Sequence, residues 1–249
     1  MSLVFNAIAT DFKGIVQVYE KELGFQRGDI SGDSNKIKEL TVDVNLTWDD
    51  YMAIALPSSG TWQYDDSNHT KFPIIKTNIV SGQRDYTFTT DEQGNLILDI
   101  YRVAILPTAT ETLFQEVHPV DVQTDAGASG ILTENTNTGV PFYYDKTANG
   151  IFLDPIPGYN ATNGLKIYIN REANYFVSGD TTKLPGCPGI HHRYFAIKPA
   201  LDYARRNSLS VEGSLRNEVL LMESAIEAHF SKRERDIIDR LLPDPITYQ

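Results

Sequence analysis

Hydrophobic positions recur at helical spacing near both ends of the chain and alternate in short runs between them. In residues 9–24, ATDFKGIVQVYEKELG, the positions Phe12, Ile15, Val16, Tyr19 and Leu23 share one helical face. Thr10 or Asp11 stands where an N-cap belongs, and Gly24 marks the stop. After a Gly/Ser/Asp-rich break, RGDISGDSN, a second run over residues 36–56 carries Ile37, Leu40, Val44, Trp48, Tyr51, Met52 and Ile54. Its β-branched residues lower helix propensity, yet the spacing predicts a helix that ends around Pro57, Ser58, Ser59 and Gly60.

Between residues 61 and 180 the period changes. PIIKTNIV, DYTFTT, LILDIYRVAIL, VPFYYDK, GIFLDP and LKIYINR are short β-rich runs, and DEQGN and TANG have the Gly and Asn chemistry of hairpin turns. In LKIYINR, Leu165, Ile167 and Ile169 fall on one side of a strand and Lys166, Tyr168 and Asn170 on the other. From Pro188 the helical period returns. Pro199 kinks or restarts a helix, and Leu215, Val219, Met222, Ile226, Phe230, Ile237 and Leu241 trace one face of a long amphipathic one. The predicted fold class is therefore α+β: a helical bundle of N- and C-terminal helices with an inserted antiparallel β-sandwich or barrel. Its parts are residues 1–60 and 185–242 for the discontinuous bundle, 61–184 for the β domain and 243–249 for a C-terminal extension.

Composition narrows the function. With 249 residues, 41% hydrophobic and 22% charged, the chain has the balance of a globular protein. Its formal charge of −11 argues against a sequence-reading DNA binder, which carries a basic face, while leaving room for DNA to slide past without sticking. A single cysteine forms no intrachain disulfide. MSLVFNAIATDFKG has neither a basic start nor an apolar run, so no signal peptide is expected, and no stretch reaches the length of a membrane span.

Candidate chemistry concentrates in residues 184–195, LPGCPGIHHRYF, which hold Cys187, His191 and His192. Zinc takes four ligands, and adjacent helical histidines diverge by about 100°. His69, His118 and His229 carry no companion motif. A Cys187–His191 pair would need a thiolate-stabilising setting that a Pro/Gly connector does not suggest. The plainer reading is a rigid loop feeding a helix. Nucleotide, zinc-protease and serine-hydrolase signatures are missing, and DDSN at residues 65–68 lacks the frame of a calcium loop. In SKRERDIIDR, Lys232, Arg233, Arg235 and Arg240 alternate with Glu234, Asp236 and Asp239, the pattern of a solvated helix. No catalytic residue, metal or cofactor is expected.

The order of segments does have a counterpart. DDYMAIALPSSGTWQYDDSN, FPIIKTNIVSGQRDYTF, LILDIYRVAIL, GVPFYYDKTANGIFLDPIPGY, LKIYINREANYF and SGDTTKLPGCPGIHHRYFAIKPALDYA together resemble the tailed-bacteriophage neck proteins, the head-to-tail adaptors and tail tubular proteins. The likeness spans residues 49–204. It implies a structural virion protein in the neck, assembled in the bacterial cytoplasm as a homo-oligomeric ring of about twelve copies. It further implies a portal protein on one side, a downstream tail or neck protein on the other, genomic DNA passing through without specific binding, and no membrane. A C-terminal arm would dock on the portal, and its apolar groups here are Leu241, Leu242, Pro243, Ile246 and Tyr248. Two other classes remain open at this stage. One is a β binding module whose Trp62, Tyr64, Tyr143 and Tyr144 recognise carbohydrate or protein, and the other a cell-wall hydrolase, for which no motif is present.

Overall fold

A computed structural model describes residues 2–59, 74–90, 94, 96–120, 137–147 and 149–231. The chain forms two compact units, Met1–Trp62 with Phe176–Gln249, and Gln63–Tyr175. The fold is mixed α and β, with four helices in the first unit and a seven-stranded sheet in the second among the described residues.

Helix α1 spans Ile15–Glu22, shorter than the apolar spacing predicts. The expected N-cap at Thr10 or Asp11 is not used. Phe12 takes a left-handed backbone (φ 58°), and residues 9–13 form a turn in which the Asp11 carboxylate accepts the Lys13 amide at 3.0 Å. Gly14 caps the helix instead, where a Cβ would lie 2.0 Å from the Gln17 amide oxygen. The predicted stop is observed. Gly24 adopts φ 74°, its N–H donates to Lys21 O, the Phe25 N–H donates to Glu20 O, and the Phe25 ring stacks on Tyr19. That is a complete Schellman ending with its apolar contact.

Helix α2 spans Ser34–Ser59 and is capped by Asp33, whose carboxylate accepts the Asn35 and Lys36 amides. Its β-branched polar residues are accommodated because Thr41 and Thr47 return their hydroxyls to the carbonyls four residues earlier. Helix α3, Tyr194–Arg206, runs through Pro199, and α4 covers Glu212–Ser231. Helix α3 packs on α1, α2 and α4, and α4 also packs on α2. Trp48, Tyr51, Tyr194, Phe195 and Phe230 fill the space between them. Residues 176–183 belong to this unit through Phe176. Its ring stacks on Phe5 at 4.8 Å, and both of its backbone groups are bonded by the Asn45 side chain.

The second unit contains β1 Ile74–Ile79, β2 Asp85–Thr87, β3 Ile97–Ile105, β4 Gln115–Pro119, β5 Thr138–Gly139, β6 Tyr143–Thr147, β7 Gly150–Asp154, β8 Ile156–Pro157 and β9 Ala161–Arg171. The order β1-β9-β3-β4-β6-β7-β2 makes one open, curled sheet, and β5 with β8 makes a small second one. The alternation read in LKIYINR holds, with Leu165, Ile167 and Ile169 buried. They meet Val103, Ile105, Val117, Tyr144, Ile151 and Leu153 on the concave side of a half-barrel. The sheet is not wholly antiparallel. Strands β4 and β6 run parallel, a pairing made possible by the long connection through residues 120–142. Strands β6 and β7 pair antiparallel with Thr147 opposite Gly150, and Gly150 allows close approach, since a Cβ there would lie 2.1 Å from Tyr86 O.

Candidate functional site

Residues 184–193 form a Pro/Gly loop leading into α3, and its chemistry-bearing side chains all point inward. His192 is the clearest case. Its Nδ1 accepts the Leu3 amide at 3.0 Å, so the proton sits on Nε2, which donates to the Cys187 carbonyl, also at 3.0 Å. The imidazole thus ties the chain start to the loop as a neutral, fully engaged group.

His191 is buried beside Tyr51, Phe230 and His229. Its Nδ1 lies 2.8 Å from the Tyr51 hydroxyl, and its ring meets the His229 ring edge-on at 5.0 Å. Burial, reinforced by the neighbouring His229 and His192, pulls its pKa down to about 4, so it is neutral at physiological pH. Cys187 is buried as well, and burial pushes its thiol well above the ordinary range, a shift that the nearby Tyr51 hydroxyl only partly opposes. The folded chain thus buries the thiol in its protonated form and engages the His191 Nδ1 with the Tyr51 hydroxyl, the opposite of the exposed thiolate that a cysteine nucleophile requires. Among the described residues, no group of three or more His, Cys, Asp or Glu is placed to hold a metal ion.

The other sequence-derived positions divide. Tyr144 is 2% exposed and belongs to the sheet core, whereas Tyr143, next along β6, is 40% exposed and meets the exposed Phe142 ring at 5.0 Å. On the same sheet, Tyr101 contacts Tyr168 edge-on, Arg102 lies over Tyr168, and Lys166 lies 3.6 Å from the Phe114 centroid. Trp62, Tyr64, residues 65–68 and the arm residues Leu241, Leu242, Pro243, Ile246 and Tyr248 lie outside the described residues.

Two features escaped the sequence reading. Glu20, on the buried side of α1, accepts the Ile30 and Ser31 amides at 2.9 and 2.6 Å and the Gly28 amide at 3.4 Å. A carboxylate at the heart of this unit is therefore a loop anchor. Its signal was a Glu next to Tyr19 within an otherwise apolar stripe. The second is a cavity of about 630 Å³ walled by Tyr19, Phe25, Leu40 and Tyr203, with the Asp43–Arg206 ion pair at its side. Large apolar residues also stand exposed on helix faces, Val42 and Leu46 on α2 and Leu220 and Leu221 on α4. No helix among the described residues is long and apolar enough to cross a membrane. No protein-family model matches the chain, and no curated protein matches it.

Proposed function

We propose that this chain is a structural protein of a bacteriophage neck, a head-to-tail adaptor that joins a portal to a tail as a ring around the DNA channel. The observation that carries the reading is the way the chain is divided. Both ends belong to one helical unit and the middle forms a β unit, the organisation expected from the resemblance in segment order. In this reading the four helices act as one bundle that docks on the portal, the β unit faces the tail, and residues 241–248 supply the docking arm.

Further support comes from the surface. Val42 and Leu46 lie one turn apart on α2, and Leu220 and Leu221 sit side by side on α4. Two apolar faces on different helices of one acidic chain suit head-to-tail contacts between copies, which close into a ring when the rotation permits. The chemically suggestive residues of the 184–195 loop serve the helical unit, which agrees with a protein that works by assembly.

The arm is the part most easily tested. Deleting residues 243–249 leaves the melting temperature unchanged and abolishes capture of purified portal protein from the same genome. Undiminished capture by the truncated chain removes the arm from the account. A second reading rests on the exposed Phe142–Tyr143 pair, which suits recognition of a sugar or a protein loop. Glycan binding that disappears in Tyr143→Ala would favour it over the adaptor.

A further inference from the structure

We propose that the helical unit carries a binding site for an organic phosphate, set between Lys21 and Arg27 and bordered by the ring of Phe12. The site is a cavity of about 460 Å³, within the range of small-molecule pockets, with Val18 and Phe25 in its apolar lining and Phe12, Lys13, Lys21 and Arg27 as the remaining members that matter. The inference does not depend on the adaptor reading.

Charge is the first observation. The chain carries −11 overall, yet the uncommitted charges at this cavity are positive. Lys21 and Arg27 are exposed and form no ion pair among the described residues. Lys13 is held by Asp11 at 3.3 Å. Glu20 also borders the cavity, but its oxygens accept the Gly28, Ile30 and Ser31 amides. An anion entering here meets two cations that no carboxylate pairs among the described residues. A phosphate matches both, because an arginine fork and a lysine ammonium each donate to its oxygens.

Phe12 is the second, independent observation. An aromatic residue at φ 58° occupies a region where glycine or asparagine is accommodated far more easily. The ring is still 38% exposed, so it is not there to fill the core. What it does is hold Arg27, whose guanidinium carbon lies 4.2 Å from the ring centroid. The strained turn thus presents a flat apolar surface and a fixed guanidinium to one cavity. That combination suits a phosphate attached to a planar or apolar body, with the phosphate on Lys21 and Arg27 and the body against Phe12 and Phe25.

The test uses the full chain and two probes, thymidine monophosphate and inorganic phosphate, titrated by calorimetry at low salt. Saturable binding of the nucleotide is expected, about tenfold tighter than inorganic phosphate, and weakened at least about tenfold in Lys21→Gln/Arg27→Gln. Phe12→Gly is expected to keep or raise the melting temperature while losing the preference for the nucleotide, a result a purely structural ring would not produce. Displacement of the nucleotide by a short single-stranded oligonucleotide would identify polymer phosphate as the source, and no displacement the free nucleotide. Absence of saturable nucleotide binding, or equal binding by the double variant, overturns the proposal.

Discussion

The 184–195 loop and the Phe12 cavity lie in the same helical unit and invert what their residue types suggest. The loop collects a cysteine and two histidines, the side chains most associated with catalysis and metals. Each is buried, and both imidazoles are bonded to groups of the fold. The cavity collects two phenylalanines, two lysines and an arginine, residues ordinarily passed over, and leaves Lys21 and Arg27 without an ion-pair partner among the described residues. Function depends on what a side chain has left to offer after folding. Residue type alone does not report that.

The sharpest way to break this comparison is to remove His192. His192→Leu leaves the Leu3 amide and the Cys187 carbonyl without the ring between them, and a loss of about 2–4 kcal/mol is expected in urea unfolding. A loss of only a few tenths would mean that the ring holds nothing.

His191 gives a pH signature of similar size. Its folded pKa of about 4 lies below the 6.5 of the unfolded chain. The unfolded state therefore binds a proton that the folded state refuses between those values. The stabilising contribution is complete above about pH 6.5 and falls away as the pH drops toward 4, by up to about 3 kcal/mol. His191→Asn, which keeps an acceptor for Tyr51 and cannot titrate, should flatten that limb of the stability–pH curve. An unchanged acid limb would assign the effect to other groups.

Glu20→Gln sharpens the contrast from the helix side, because the new amide opposes backbone donors that the carboxylate accepted. A cost of about 1–3 kcal/mol is expected, together with faster amide exchange at Ile30 and Ser31. Unaltered protection of those amides would contradict the anchor. The smallest effect concerns Cys187. Its thiol should resist alkylation in the folded protein and react readily in denaturant, while Cys187→Ala costs about 1 kcal/mol. Rapid labelling of the native thiol would reopen the nucleophile reading.

Much of the fold was legible wherever one face of an element decided the residues. LKIYINR shows its alternation because β9 lies between β1 and β3 with one face on the sheet core, and Gly24 was readable because the Schellman ending needs a left-handed residue. The start of α1 was not, since Phe12 keeps the apolar spacing of a helix while its backbone leaves it. The parallel pairing of β4 with β6 was hidden for a different reason. Local alternation is the same for either direction, and only the long connection decides. That residues 184–193 lead into a helix was readable from their prolines and glycines, whereas the inward turn of Cys187, His191 and His192 was not. The Phe12 cavity was not, because it exists only once a left-handed turn sets residue 12 beside residue 27.

The central claim is that this chain works by assembly, and sedimentation velocity addresses it most directly, on the full chain alone and mixed with the portal protein from the same genome. The adaptor account expects the mixture to run as one large particle that contains both proteins. A chain that stays monomeric and leaves the portal boundary unchanged would contradict it.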